Sequence, residues 1–189
     1  GRKCDWDLIQ FRRKTEVYIA IFIRGDLPLN SQINIDQAFE LIQKGDFLAA
    51  KAISMFLGKS QDTVVDAQFL LGVIAFKENH FQDAINLLSV AIEARPTVAE
   101  YYKILGDVFQ ADRKTEEAVS VYRQGYNVSP TNIQIGMSLA RALRSNGGED
   151  EALNVVKEIS SRHGNSTFAA TLASWRLSYV PSSEEQMAD

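Results

Sequence analysis

Apolar residues recur through most of this chain at helical spacing. Over residues 97–112 they fall at Tyr101, Ile104, Leu105, Val108 and Phe109, an i, i+3, i+4, i+7, i+8 stripe. Over 115–128 a second stripe runs through Ala118, Val119, Val121, Tyr122 and Tyr126, after the polar turn Asp112-Arg113-Lys114. The pattern predicts two antiparallel helices joined by a short turn, and it recurs along the chain. Sliding the sequence by 34 residues superposes Thr63, Thr97 and Thr131, then Gly72 and Gly106, then Leu71, Leu105 and Leu139. Pro96 and Pro130 also coincide, as do four alanines, Ala50, Ala84, Ala118 and Ala152.

Each recurrent residue has a physical use. Thr97 with Glu100, and Thr131 with Gln134, have capping-box spacing, and Thr63 with Asp66 is a weaker version, so helices are expected to start there. Pro96 and Pro130 stop the preceding helices. Gly72 and Gly106 fall inside helical patterns, where glycine costs about 1 kcal/mol relative to alanine, so close approach of a neighbouring helix is expected there. Neither helix of a pair can bury its stripe alone, so successive pairs must stack.

These residues carry a family resemblance. Leu71-Gly72, Ala84, Ala91 and Pro96 in one unit, and Tyr102, Leu105-Gly106, Phe109, Ala118, Tyr122 and Pro130 in the next, resemble the tetratricopeptide repeat (TPR). The resemblance extends to four units, 31–64, 65–98, 99–132 and 133–166. The first keeps Ala38, Leu41, the turn Lys44-Gly45-Asp46-Phe47 and Ala50 but lacks the Leu-Gly pair, and the last has Gly164 where the proline would stand. It implies an all-α, right-handed superhelix of about four helical pairs over 31–166. Around it the sequence predicts an N-terminal helix and loop over 1–30, a capping helix over 167–181 and a disordered tail over 182–189. The capping helix rests on Phe168, Leu172, Trp175 and Tyr179, spaced 4, 3 and 4 apart. Over 17–23 (VYIAIFI) a strand is the alternative, because the run is β-branched and aromatic.

Composition narrows the classes of function. The chain has 189 residues, 46% hydrophobic, enough to fold without staples. It holds one cysteine, Cys4, so neither an intrachain disulfide nor a multi-cysteine zinc site can form. The longest apolar run, 17–23, is far short of the ~20 residues needed to span a bilayer. Residues 31–189 carry 14 Lys+Arg against 20 Asp+Glu, which disfavours a nucleic-acid groove. The chain starts at Gly1 and reads as a piece of a longer protein, and a cytoplasmic setting is expected.

Candidate chemistry is sparse. His80 and His163 have no second ligand at metal spacing. Gly58-Lys59-Ser60 resembles the end of a phosphate-binding loop, but Ile53 stands where the first glycine is required. The acidic run Glu149-Asp150-Glu151 suits a helix start. No catalytic residue, metal or cofactor is assigned.

The resemblance implies that the first helix of each pair lines a concave groove. Counting positions 2, 5, 9 and 12 of each unit gives an apolar first half with Ile35, Phe39, Phe69, Val73 and Phe76. The second half is mixed, with Lys103, Asp107, Arg141 and Arg144. These nine are the expected partner-binding residues. Ile35, Phe39, Phe69 and Val73 occupy early positions where a carboxylate clamp needs lysine and asparagine, so that clamp is not expected. An apolar half-groove would be an exposed patch unless a partner segment, or the chain's own 6–23, covers it. The expected function is a non-catalytic protein-interaction scaffold, serving as a chaperone or assembly adaptor. The alternatives are the substrate-recruiting region of a larger enzyme such as a glycosyltransferase, and a self-associating scaffold whose groove takes a second copy's N-terminal segment.

Overall fold

The computed structural model describes residues 35–163. The helices expected over 6–23 and 167–181, the tail and Cys4 lie outside the described residues. Within them the chain forms eight α-helices and no strand. These are α1 (Ile35–Gln43), α2 (Phe47–Leu57), α3 (Val64–Lys77), α4 (Phe81–Ala94), α5 (Ala99–Ala111), α6 (Thr115–Val128), α7 (Ile133–Ser145) and α8 (Glu149–His163). No helix among them is long and apolar enough to cross a membrane.

Two compact units divide the chain, Gly1–Arg95 and Pro96–Asp189. In the first, α1 pairs with α2 and α3 with α4, α2 packs on α3, and the first helices α1 and α3 also touch. In the second the plan is the same, with pairs α5–α6 and α7–α8, contact of α6 with α7, and contact of α5 with α7. Each unit is therefore two stacked helical hairpins, as the amphipathic stripes require.

Every hairpin turns through one backbone device. Gly45, Asn79, Arg113 and Gly147, spaced 34 apart, all have positive φ, at 76°, 63°, 61° and 82°. The residue after each donates its N–H back to the preceding helix: Asp46 to Leu41, His80 to Ala75, Lys114 to Phe109 and Gly148 to Leu143, each at 2.9 Å. The positive-φ residues themselves donate to Ile42, Phe76, Gln110 and Arg144 at 3.0–3.2 Å. This pair of bonds is the Schellman motif, which satisfies helix carbonyls that would otherwise lack donors. Glycine enters the left-handed region freely, whereas arginine is strained there by about 1–2 kcal/mol.

The helix starts differ from the capping boxes expected in sequence. The residue capping α5 is Val98, with no side-chain cap bond, so Thr97 and Glu100 do not form a box. At α7 the cap is Asn132, whose Oδ1 accepts from the N–H groups of Gln134 (3.0 Å) and Ile135 (3.3 Å), in place of Thr131. Thr63 does stand at the start of α3, but its hydroxyl donates to the carbonyl of Leu57 and not to its own helix. Asp66, its expected partner, accepts instead from Arg95 at 2.6 Å. The helix stops agree better: α4 ends at Ala94 and α6 at Val128, just before Pro96 and Pro130.

The recurrent small residues lie where helices press together. Ala50, Ala84, Ala118 and Ala152 are all fully buried. A Cβ on Gly72 would meet Leu88 Cγ at 2.9 Å, and one on Gly106 would run into the Tyr122 ring. Gly106→Ala should therefore lower stability by about 1–3 kcal/mol, the range for overpacking. Arg113→Gly should raise it by roughly 0.5–1 kcal/mol, since the strain relieved exceeds glycine's extra chain entropy. Urea unfolding followed by circular dichroism checks both.

Candidate functional site

The nine expected partner-binding residues fall on four first helices, two per unit, and the structure treats them unequally. In the first unit Ile35 and Phe39 of α1 are partly exposed. Phe69 and Val73 of α3 are 3% and 5% exposed, so they belong to the packed interior and present almost no surface to a partner. The reason is the composition of α3. Its sequence VVDAQFLLGVIAFK is apolar nearly all round, and it is covered by α1, α2 and α4. Phe39 lies on this interior, its ring 5.9 Å from that of Phe69 and tilted by 57°. One turn beyond Val73, Phe76 returns towards the surface. Its ring lies 6.5 Å from Phe81, and Lys77 Nζ stands 5.9 Å from its centre.

The second unit presents charges. Lys103 and Asp107 lie one turn apart on α5, and Lys103 Nζ donates to Asp107 Oδ2 at 2.6 Å. The other carboxylate oxygen accepts from the Tyr122 hydroxyl of α6 at 2.7 Å. Asp107 thus ties the lysine of its own helix to the second helix of the hairpin. Desolvation pushes the Tyr122 hydroxyl well above its ordinary pKa of 10, its bond to Asp107 and that residue's negative charge add to the rise, and nearby Arg141 opposes it. Glu100, also on this face, is held above the usual carboxylate range by desolvation; Lys103 opposes the shift and Asp107 adds to it. Arg141 of α7 is exposed, and its Nε donates to the carbonyl of Met137 at 3.1 Å. Arg144, one turn further on, is half-buried.

Lys103, Asp107 and Arg141 therefore share one neighbourhood around Tyr122, while Phe69 and Val73 leave the surface and Phe39 and Phe76 remain at its edge. Sequence reasoning placed Tyr122 in an apolar stripe and missed its hydroxyl bond. The available signal was Gly106, whose missing side chain makes room for the ring that carries that hydroxyl. Chemically the cluster is an anchored set of charges. Both oxygens of Asp107 are engaged, and among the described residues no three His, Cys, Asp or Glu side chains gather as a metal site would require.

Comparison with solved structures decides the fold. The protein MamA superposes with a TM-score of 0.61 at 21% identity, over 81% of this chain and 92% of that one. A thermophilic TPR protein of Thermus thermophilus gives 0.58 at 17% identity, over 76% and 80%. The fold is of the TPR type. The Yersinia enterocolitica type III secretion translocator chaperone SycD also matches, with a TM-score of 0.55 at 16% identity, over 63% of this chain and 96% of that one. At such identities the likeness concerns the fold. No protein-family model and no curated protein matches the sequence.

Two measurements follow. Phe69→Ala should cost about 3–5 kcal/mol of stability, as truncation of a buried phenylalanine does. Tyr122 holds its proton more tightly folded than unfolded, so its contribution to stability is complete below pH 10 and lost as pH rises beyond it. Alkaline unfolding should therefore fall more gently with pH in Tyr122→Phe than in the parent, a comparison made by urea midpoints across pH 8–11.

Proposed function

We propose that this chain is a non-catalytic interaction module that holds a segment of another protein against its first-helix faces, as an adaptor or chaperone does. The observation that carries this reading is a set of large side chains kept at the surface by a rigid helical frame. Phe76 is partly exposed on α3, beside Phe81 and Lys77. Arg141 is exposed on α7 and has no carboxylate partner among the described residues. The first unit thus offers an apolar, aromatic face and the second a charged one. Apolar anchors would bury against Phe39 and Phe76, and acidic groups would pair with Arg141.

The fold supports this reading by analogy. One protein of the same fold type, SycD, is a secretion translocator chaperone. The engagement of Asp107 with both Lys103 and Tyr122 also favours a scaffold, because a general base needs a free oxygen directed at a substrate. Lys103 and Asp107 then act on a partner as a paired unit and not as separate charges.

Phe76→Ser and Arg141→Glu, made singly in the whole chain, test the proposal. Each should reduce partner capture by about tenfold or more, the effect of losing an interface anchor, with the helical circular dichroism signal unchanged. Full capture by both variants would overturn it.

A further inference from the structure

A second surface lies on the second helices of the first unit, away from the residues considered so far. The buried residues of α2 are Ala49, Ala50, Ser54 and Leu57. A different stripe runs along the same helix through Leu48, Ala52, Met55 and Phe56, at i, i+4, i+7 and i+8. Met55 is 59% exposed and Phe56 45%. The 34-residue period shows how unusual this is. At the corresponding positions α4 has Gln82, Asn86, Ser89 and Val90; α6 has Glu116, Ser120, Arg123 and Gln124; and α8 has Asp150, Asn154, Lys157 and Glu158. Val90 apart, polar side chains serve the fold there in three hairpins, so the apolar stripe on α2 is not a packing requirement.

Beside the stripe, between α2 and the hairpin α3–α4, lies a cleft of about 360 Å³. Leu71, Ala75 and Leu87 give it apolar lining, while Lys51, Glu78 and Asp83 are among its polar residues. Asn86 and His80 complete the lining, and His80 Nδ1 stands 3.7 Å from Glu78. Lys51 is committed to Glu78, at 2.8 and 2.9 Å to its two oxygens. No lysine or arginine among the described residues pairs with Asp83. Helix α4 contributes Asp83 and Glu93 and no basic residue. The cleft therefore has an apolar lining and one carboxylate in excess, next to an apolar stripe.

We infer that this face binds a basic amphipathic helix of a partner protein. Its apolar residues lie along Leu48, Ala52, Met55 and Phe56, and one lysine or arginine enters the cleft. The methylene stem of that side chain covers Leu71, Ala75 and Leu87 while its charged head meets Asp83, the arrangement long cationic side chains adopt over apolar surface. Charge selects the partner: an acidic helix would face Asp83 and Glu93 and be repelled. This surface is separate from the first-helix faces, so it can fail or hold independently of the function proposed above.

The probe is a synthetic helix of about 14 residues with leucine and alanine on one face and lysine on the other, compared with a counterpart carrying glutamate for lysine. Each is titrated into the isotope-labelled full chain and followed by amide chemical shifts. The lysine peptide should shift Met55, Phe56 and Asp83 together and bind about tenfold more tightly than the glutamate peptide. Phe56→Gln and Asp83→Asn replace exposed side chains, so both should fold as the parent does and each weaken binding about threefold or more. Equal affinity for the two peptides, or shifts confined to α1, α5 or α7, would overturn the inference. So would concentration-dependent shifts of Met55 and Phe56 without peptide, which would give the stripe to a second copy of the chain.

Discussion

The close approach of the two helices within each hairpin is the constraint on which the rest of the structure depends. At the crossing, one helix must give up volume so that the other can supply it. Gly72 faces Leu88, and Gly106, at the same repeat position, faces the ring of Tyr122. The alanines of the second helices, all fully buried, make the same concession from the other side. Interiors are packed to crystal density, so neither partner can change alone without either a void or an overlap. The glycine costs some helix propensity, and the dispersion contacts of a large buried side chain offset it.

This constraint explains how Asp107 comes to be anchored. Tyr122 reaches Asp107 because its ring can lie flat against the backbone of α5 at Gly106; an alanine there would displace the ring. The polar neighbourhood of the second unit is thus a by-product of core packing. In the first unit the equivalent partner of the glycine is Leu88, which has no hydroxyl, and the first-helix face remains apolar. Surface chemistry in each unit follows from which large residue the core admits.

The fold was legible because its cause is periodic. Stripes at helical spacing, the prolines and the glycines all repeat every 34 residues, and the helices lie where those marks put them. Caps were less legible. Asn132 outcompetes Thr131 because its longer side chain reaches two amides, and Thr63 turns its hydroxyl to the carbonyl of Leu57. Such choices among neighbouring groups differ by about 1 kcal/mol and leave little trace in sequence. The left-handed turn positions were only half visible: Gly45 and Gly147 announce them, but Asn79 and Arg113 adopt the same φ because the Schellman bonds impose it. Among the expected groove residues, periodicity put Phe69 and Val73 on the right helix but not on its exposed side. For a helix that is apolar all round, spacing cannot say which face is covered, because every face reads as buried.

A repeat fold separates structure from use in a way that single sequences rarely do. Whatever recurs at period 34 serves the hairpin and its stacking, and the burial of Ala50, Ala84, Ala118 and Ala152 fits that rule. What departs from the period without a packing reason is left over for another purpose. Phe56 meets that description, because three equivalent helices hold Val90, Gln124 and Glu158 at its position and pack as hairpins all the same. Tyr122 departs too, but Gly106 accounts for it, so its departure is structural. The same test distinguishes Phe69, whose burial gives it a packing role, from Arg141, which is exposed and contributes to no core. Function in this chain is therefore to be sought where the period breaks and the core does not explain the break.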